Sequence, residues 1–172
     1  CPKNFYGASK AAAEMVLGKL VEQRGGRFSV LRLTNVYGRY SDNKKSAVHA
    51  FTRAAIAGER VRVHGDGHQS RDFVYAGDVG RGVATLAAHL KAGHRTAPVN
   101  MLGSGVSTSL LEVIASIEQV TGRPLSHNHV AAPELLATEP RDVIARREDV
   151  RVLLGDRITP LVDGLRATHA YY

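Results

Sequence analysis

The sequence predicts an α/β fold built on a parallel sheet. Short β-rich runs alternate with stretches whose apolar residues recur at three- and four-residue spacing. Glycine or proline stands at most junctions between them. The run from Phe28 to Leu33 is short and apolar, with glycine before it and Thr34-Asn35 after it, as a buried strand of a parallel sheet would be.

The elements follow in order. Ala12, Met15, Val16 and Leu20 mark a helix from Ala8 to Arg24, stopped by Gly25-Gly26. The strand at Phe28–Leu33 leads into a polar loop, Arg39 to Ser46, and then a helix through Val48, Phe51, Thr52, Ala55 and Ile56 that Gly58 closes. Arg60 to His64 alternates with period two, as a half-exposed strand does, and places Arg62 and His64 on one side. Gly65-Asp66-Gly67 turns the chain into a short run from Asp72 to Tyr75. Asp78 suits the N-cap of a helix carrying Val79, Val83, Leu86 and Leu90, which Gly80 and Gly82 weaken by roughly 1 kcal/mol each. Ala97 to Leu102 reads as a strand, Gly103-Ser104-Gly105 as a tight turn, and Ser109-x-x-Glu112 as a capping box opening a helix to about Val120. A proline-marked loop, Pro133 to Pro140, a helical turn ending at Gly155 and a last helix started by Thr159 and Pro160 complete the pass.

Composition narrows the function. The 172 residues, 44% hydrophobic, fit one globular domain with a real core. No run approaches the roughly 18 apolar residues of a membrane span, and the first residues lack the pattern of a signal peptide. A single cysteine, Cys1, allows no internal disulfide and no Cys-x-x-Cys zinc pair, so a cytoplasmic compartment fits best. The first residue is Cys1 rather than Met, which suggests a processing boundary. A net charge of +7 favours an anionic partner. The basic residues are scattered, with Lys44-Lys45 and Arg146-Arg147 the only doublets, and no aromatic platform accompanies them; a nucleotide phosphate suits this charge better than nucleic acid.

Tyr6 and Lys10 stand four apart and share a helix face. An ammonium beside a phenol favours the phenolate, the form that takes a proton from a substrate hydroxyl. Tyr40 and Lys44 repeat the spacing inside a polar loop, where they read as solvated residues. His127-x-His129 has no third ligand at metal spacing and reads as a solvent-facing pair, so no metal site is expected. Gly103-x-Gly105 lacks the third glycine of a dinucleotide fingerprint and reads as a plain turn.

Five motifs in order carry a resemblance. They are Pro2-x-x-x-Tyr6-Gly7-x-Ser9-Lys10-x-x-x-Glu14; Leu31-Arg32-Leu33-Thr34-Asn35-Val36-Tyr37-Gly38; Gly65-Asp66-Gly67-x-Gln69-x-Arg71-Asp72-Phe73-Val74-Tyr75-x-x-Asp78-Val79; Val99-Asn100-x-x-Gly103-Ser104-Gly105; and Leu153-Leu154-Gly155 with Leu161 and Gly164-Leu165. Together they span nearly the whole chain, and it resembles the extended short-chain dehydrogenase/reductase family, specifically its NAD-dependent nucleotide-sugar epimerases and dehydratases.

The resemblance implies the C-terminal part of a Rossmann-type doubly wound parallel sheet plus a small α/β substrate-binding domain. Residues 1–45 would carry the catalytic helix and a late strand, and 46–172 mainly the nucleotide-sugar region, with the strand near 97–102 returning to the Rossmann sheet. It implies Tyr6 as the proton acceptor and Lys10 as the group that tunes it and holds the nicotinamide ribose. Leu33 and Val36 would lie against the nicotinamide of NAD. Asn35 and Arg71 would bind the substrate diphosphate, and a guanidinium grips phosphate oxygens with parallel hydrogen bonds; the plainer reading of Arg71 is a surface ion pair with Asp66 or Asp72. Arg62 and His64 fall where the base is bound, so His64 would pack on it. Arg141-Asp142 resembles a late element that closes over the nucleotide, without its intervening Pro-Gly. Arg39, where proline is usual, and Gly77 and Gly80 also depart from the pattern.

The family's glycine-rich NAD turn, its ribose-binding acid and its upstream Ser or Thr are not among these residues. The expectation is therefore a C-terminal part of a larger enzyme, inactive without an N-terminal NAD-binding half in the same precursor or a companion chain. An uncovered sheet edge and first-helix face follow. The implied activity is a UDP-glucose 4-epimerase-like reaction by transient oxidation at C4, in a homodimer when complete. The alternatives are a 4,6-dehydratase and a non-catalytic sugar-nucleotide binding module.

Overall fold

The computed structural model describes residues 2, 4–44, 46–131 and 143–172. Helix α1 (Phe5–Gln23) opens one turn before Ala8, because Asn4 caps it: its side-chain oxygen accepts from Gly7 N at 2.8 Å. Strands β1 (Val30–Leu33) and β2 (Asn35–Tyr37) follow, then α2 (Ala47–Ala57) and β3 (Val61–His64). Strands β4 (Ser70–Arg71) and β5 (Phe73–Tyr75) lead to α3 (Ala76–Ala92) and β6 (Val99–Leu102). Next come β7 (Thr108–Ser109), α4 (Leu110–Thr121), β8 (His127–Val130), α5 (Arg147–Leu154) and α6 (Leu161–His169). The loop predicted at Pro133–Pro140 lies outside the described residues.

The long pairings are parallel: β1 with β6, β2 with β5 and β3 with β8. Among the described residues only the short β4–β7 pair is antiparallel. The strand predicted near 97–102 thus lies beside β1, with Leu33 opposite Leu102.

Three local expectations are corrected. The strand predicted as buried from Phe28 begins at Val30 and is half-buried to exposed, because β6 is its one neighbour among the described residues. Thr34-Asn35 does not end the sheet; Asn35 starts β2. Asp78 is not an N-cap. It lies in the first turn of α3, where Tyr75 holds the cap position without a side-chain bond. Its buried carboxylate accepts from Thr159 N at 2.9 Å and Thr159 Oγ1 at 2.8 Å, and from Arg81. The pairing joins α3 to the segment that starts α6, and such a partner 81 residues away has no local signature in a sequence.

Among the described residues two apolar clusters hold most of the elements. One gathers Tyr37, Val48, Phe51, Val63, Phe73, Ile114, Ile117 and Leu165 from β2, α2, β3, β5, α4 and α6. The other gathers Leu86, Leu102, Val150, Leu153 and Leu154 from α3, β6 and α5. Gly82 lets α3 approach β6: a Cβ there would sit 2.6 Å from Leu102 Cδ2. Gly164 does the same for α6 against the Tyr37 ring, whose hydroxyl donates to Leu161 O at 3.3 Å. Burial raises the Tyr37 pKa, and the nearby Asp78 charge adds to it.

Helix α1 differs from the rest, since none of its side chains is buried. A bidentate pair, Arg32 Nε and Nη2 to Glu14 at 2.9 and 2.6 Å, ties it to β1 and lowers the Glu14 pKa. The predicted capping box is formed, with Ser109 Oγ accepting from Glu112 N and the Glu112 carboxylate accepting from Ser109 N at 2.7 Å. Ser109→Ala is expected to cost about 1 kcal/mol, read as a lower urea midpoint at unchanged slope; an unchanged midpoint would show that α4 does not depend on its cap.

Candidate active site

One turn of α1 places Tyr6 and Lys10 together, with Lys10 Nζ 5.3 Å from the Tyr6 ring centre. The carboxyl end of β1 presents Leu33, 44% exposed, and β2 continues with Asn35 and Val36. Strand β3 buries Val61 and Val63, which turns Arg62 and His64 outward as its alternation predicts. Arg71 comes from β4.

All eight line one cleft of about 1190 Å³. Crevices outside the carboxyl ends of parallel strands are where α/β proteins bind ligands. Arg141 and Asp142 lie outside the described residues.

Asp72 organises the wall between these groups. Its main-chain oxygen accepts from Asn35 N at 2.9 Å and Asn35 Nδ2 at 3.4 Å. Its buried carboxylate accepts from Ser104 N (2.6 Å), Ser104 Oγ (2.7 Å), Gly105 N (3.1 Å) and Ala145 N (2.9 Å). Gly103-Ser104-Gly105 is therefore more than the plain turn expected: it is a nest of amides around an internal carboxylate, and β7 intervenes before α4. Those bonds direct the Asp72 carboxylate into the fold, so it does not serve as the surface partner considered for Arg71. Arg71 donates to Ser70 O at 2.8 Å.

The second Tyr/Lys spacing is not a pair facing one ligand. Tyr40 packs edge-on against Tyr171 at 5.0 Å, whereas Lys44 Nζ donates to Val36 O at 2.7 Å. His127 and His129 lie 5.6 Å apart, ring to ring, on an exposed strand. Among the described residues no three His, Cys, Asp or Glu side chains cluster as metal ligands, and no helix is long and apolar enough to cross a membrane.

Sequence reasoning missed several groups on the cleft wall. Lys44, Ser46 and Gln69 line it, as does Thr34. The buried Thr34 Oγ1, Ser46 Oγ and Gln69 Oε1 have no hydrogen-bond partner among the described residues. Thr34 and Gln69 fall inside the quoted motifs, which could have flagged them; Lys44 and Ser46 sit in a polar loop with no such signal.

A helix delivering a phenol and an ammonium, and two strands each delivering a guanidinium group, to one crevice define an α/β protein with a site for an anionic ligand. Residues 1–101 match the NAD dependent epimerase/dehydratase family. UDP-glucuronic acid decarboxylase 1 of Danio rerio is 30% identical over 99% of this chain and 40% of its own length. The UDP-glucose 4-epimerase of Thermotoga maritima, solved with UDP-glucose, superposes with a TM-score of 0.81 at 28% identity, covering 96% of this chain and 52% of that one. MoeE5, solved with UDP-glucose and NAD, gives 0.80 at 28% identity over 99% of this chain and 56% of that one. The chain belongs to the NAD dependent epimerase/dehydratase family and has its Rossmann-type α/β fold. It spans about half the length of these relatives, or somewhat less.

Proposed function

We propose that this chain forms the substrate-binding and proton-transfer side of an NAD-dependent nucleotide-sugar 4-epimerase. One observation carries the reading: Tyr6, Lys10, Leu33, Asn35, Val36, Arg62, His64 and Arg71, drawn from α1 and four different strands, all line the same cleft.

The residues suit NAD at the α1 end. The exposed Leu33 offers an apolar surface beside a phenol and an ammonium, and Val36 extends it; these four would hold the nicotinamide riboside. NAD, when bound, supplies a reversible hydride acceptor. Tyr6 takes the proton of the sugar C4 hydroxyl and later returns it, while the Lys10 charge favours the phenolate during the transfer. Arg71 and Asn35 hold the diphosphate, and Arg62 and His64 flank the base.

The division of labour is residues 1–45 for the catalytic helix and late strand and 46–172 mainly for the nucleotide sugar. The partner is an N-terminal NAD-binding half, in one precursor or a companion chain, and the complete enzyme is a homodimer. The exposed α1 and the half-exposed β1 support this.

Calorimetric titration of the chain with UDP tests the site. Arg71→Met is expected to weaken binding by roughly 10- to 100-fold, as loss of a charge-assisted contact does. The 4-epimer should form only once an NAD-binding half is supplied. A 4-keto-6-deoxy product would reassign the chain to a dehydratase, and absence of UDP binding would sink the reading.

A further inference from the structure

We propose that Tyr171 and Tyr172 are positioning residues: they form an aromatic clasp that fixes the loop between β2 and α2 and, through it, the wall that this loop and α2 give to the cleft. The inference rests on the nucleotide reading only where ligand affinity is the readout.

The loop needs a hold from outside itself. Tyr40 has φ +61° and is the one non-glycine residue in the left-handed region among the described residues. Its own Cβ crowds the backbone there, so such a turn persists only where its surroundings enforce it. Those surroundings are α6 and the two residues after it. Arg39 Nε donates to Ala167 O at 3.2 Å, the Tyr40 ring meets Tyr171 edge-on at 5.0 Å, and the Tyr171 hydroxyl donates to Asp42 Oδ2 at 2.9 Å. Tyr172 takes hold of α2. Its ring lies 5.3 Å from that of Tyr171, its hydroxyl shares a hydrogen bond with His49 Nδ1 at 2.5 Å, and the Arg53 guanidinium sits 6.0 Å from its ring centre. Loop and helix are thus gripped by adjacent side chains.

This is not core packing. Tyr40 is 82% exposed, Tyr171 is exposed as well, and neither these rings nor that of Tyr172 belongs to an apolar cluster. The base of the clasp is firm, because Leu165 and Thr168 are buried and the N–H groups of Tyr171 and Tyr172 donate to Thr168 O and His169 O at 3.1 Å. What it holds borders the cleft. Two residues beyond Asp42, Lys44 closes a turn by donating from its N–H to Ser41 O at 2.8 Å, and its ammonium donates to Val36 O at 2.7 Å. Lys44, Ala47 and Phe51 all line the cleft, so releasing Asp42 and His49 frees that wall to move.

Hydrogen exchange and titration with UDP, both at 25 °C, test the clasp on Tyr171→Phe, which keeps the ring and deletes the bond to Asp42, on Asp42→Ala and on the double variant. Exchange over residues 39–44 is expected to quicken about 3- to 10-fold in each while that of α4 stays unchanged, and UDP should bind weaker by a similar factor, about 3- to 10-fold. The double variant should match the single ones, because each removes the same bond. A contact that serves stability alone would lower the melting temperature and leave exchange and affinity at 25 °C as they were, and that result overturns the proposal. Faster exchange with unchanged UDP affinity overturns it too, since the loop would then move without the cleft. If the unaltered chain binds no UDP, the nucleotide reading falls, and the exchange of residues 39–44 alone decides for or against the clasp.

Discussion

Tyr6→Phe should lower turnover of a nucleotide sugar by roughly 10²- to 10⁴-fold when the chain is assayed together with an NAD-binding half. The substitution deletes one oxygen from a side chain that is 71% exposed and packs against nothing in the core, so a folding defect cannot account for such a loss. Affinity for UDP should stay within about twofold, because the diphosphate and base contacts come from β2, β3 and β4. The two readouts separate proton transfer from binding. A variant that keeps more than a tenth of the original rate would assign the proton to another group.

Asp72→Asn is the substitution expected to damage stability most. The carboxylate is buried and meets three main-chain N–H groups and one hydroxyl. An amide offers one accepting oxygen, and its own NH₂ opposes the donors on the other side, leaving at least one buried N–H unpaired. The loss should be about 3 kcal/mol or more, allowing about 1–3 kcal/mol for each group left unpaired, which lowers Tm by roughly 6–12 °C for a chain of this size. A thermal melt checks it, and a shift of under 2 °C would mean that the Gly103–Gly105 turn stands without the carboxylate.

Much of this architecture was legible because it is local. The α2 helix with Gly58 at φ +69°, the alternation of β3 and the Ser109–Glu112 box each depend on residues within a few positions of one another. What escaped depends on distant partners. Asp78 has the right residue type for a cap, yet its bonds go to Thr159. Strands β2, β4 and β7 are two or three residues long, too short for any period to emerge, and exist only because β5 lies beside β2 and β4 beside β7. Tyr6, Asn35 and Arg71, which line one cleft, were singled out through motifs in order. Lys44 was not, because a lysine in a polar loop carries the same signal whether it faces water or a ligand.

Helix α1 bears Tyr6, the proposed proton acceptor, and contributes no buried side chain to either apolar cluster. Within the chain the Glu14–Arg32 pair ties this helix to β1, while Met15, Val16 and Leu20 stay exposed; on the proposed reading, an NAD-binding half covering them would supply the rest of the free energy that keeps Tyr6 in register. Under that proposal reaction rate and assembly are thermodynamically linked: a substitution on the covering half, touching neither sugar nor dinucleotide, would register as a slow enzyme rather than an unstable one.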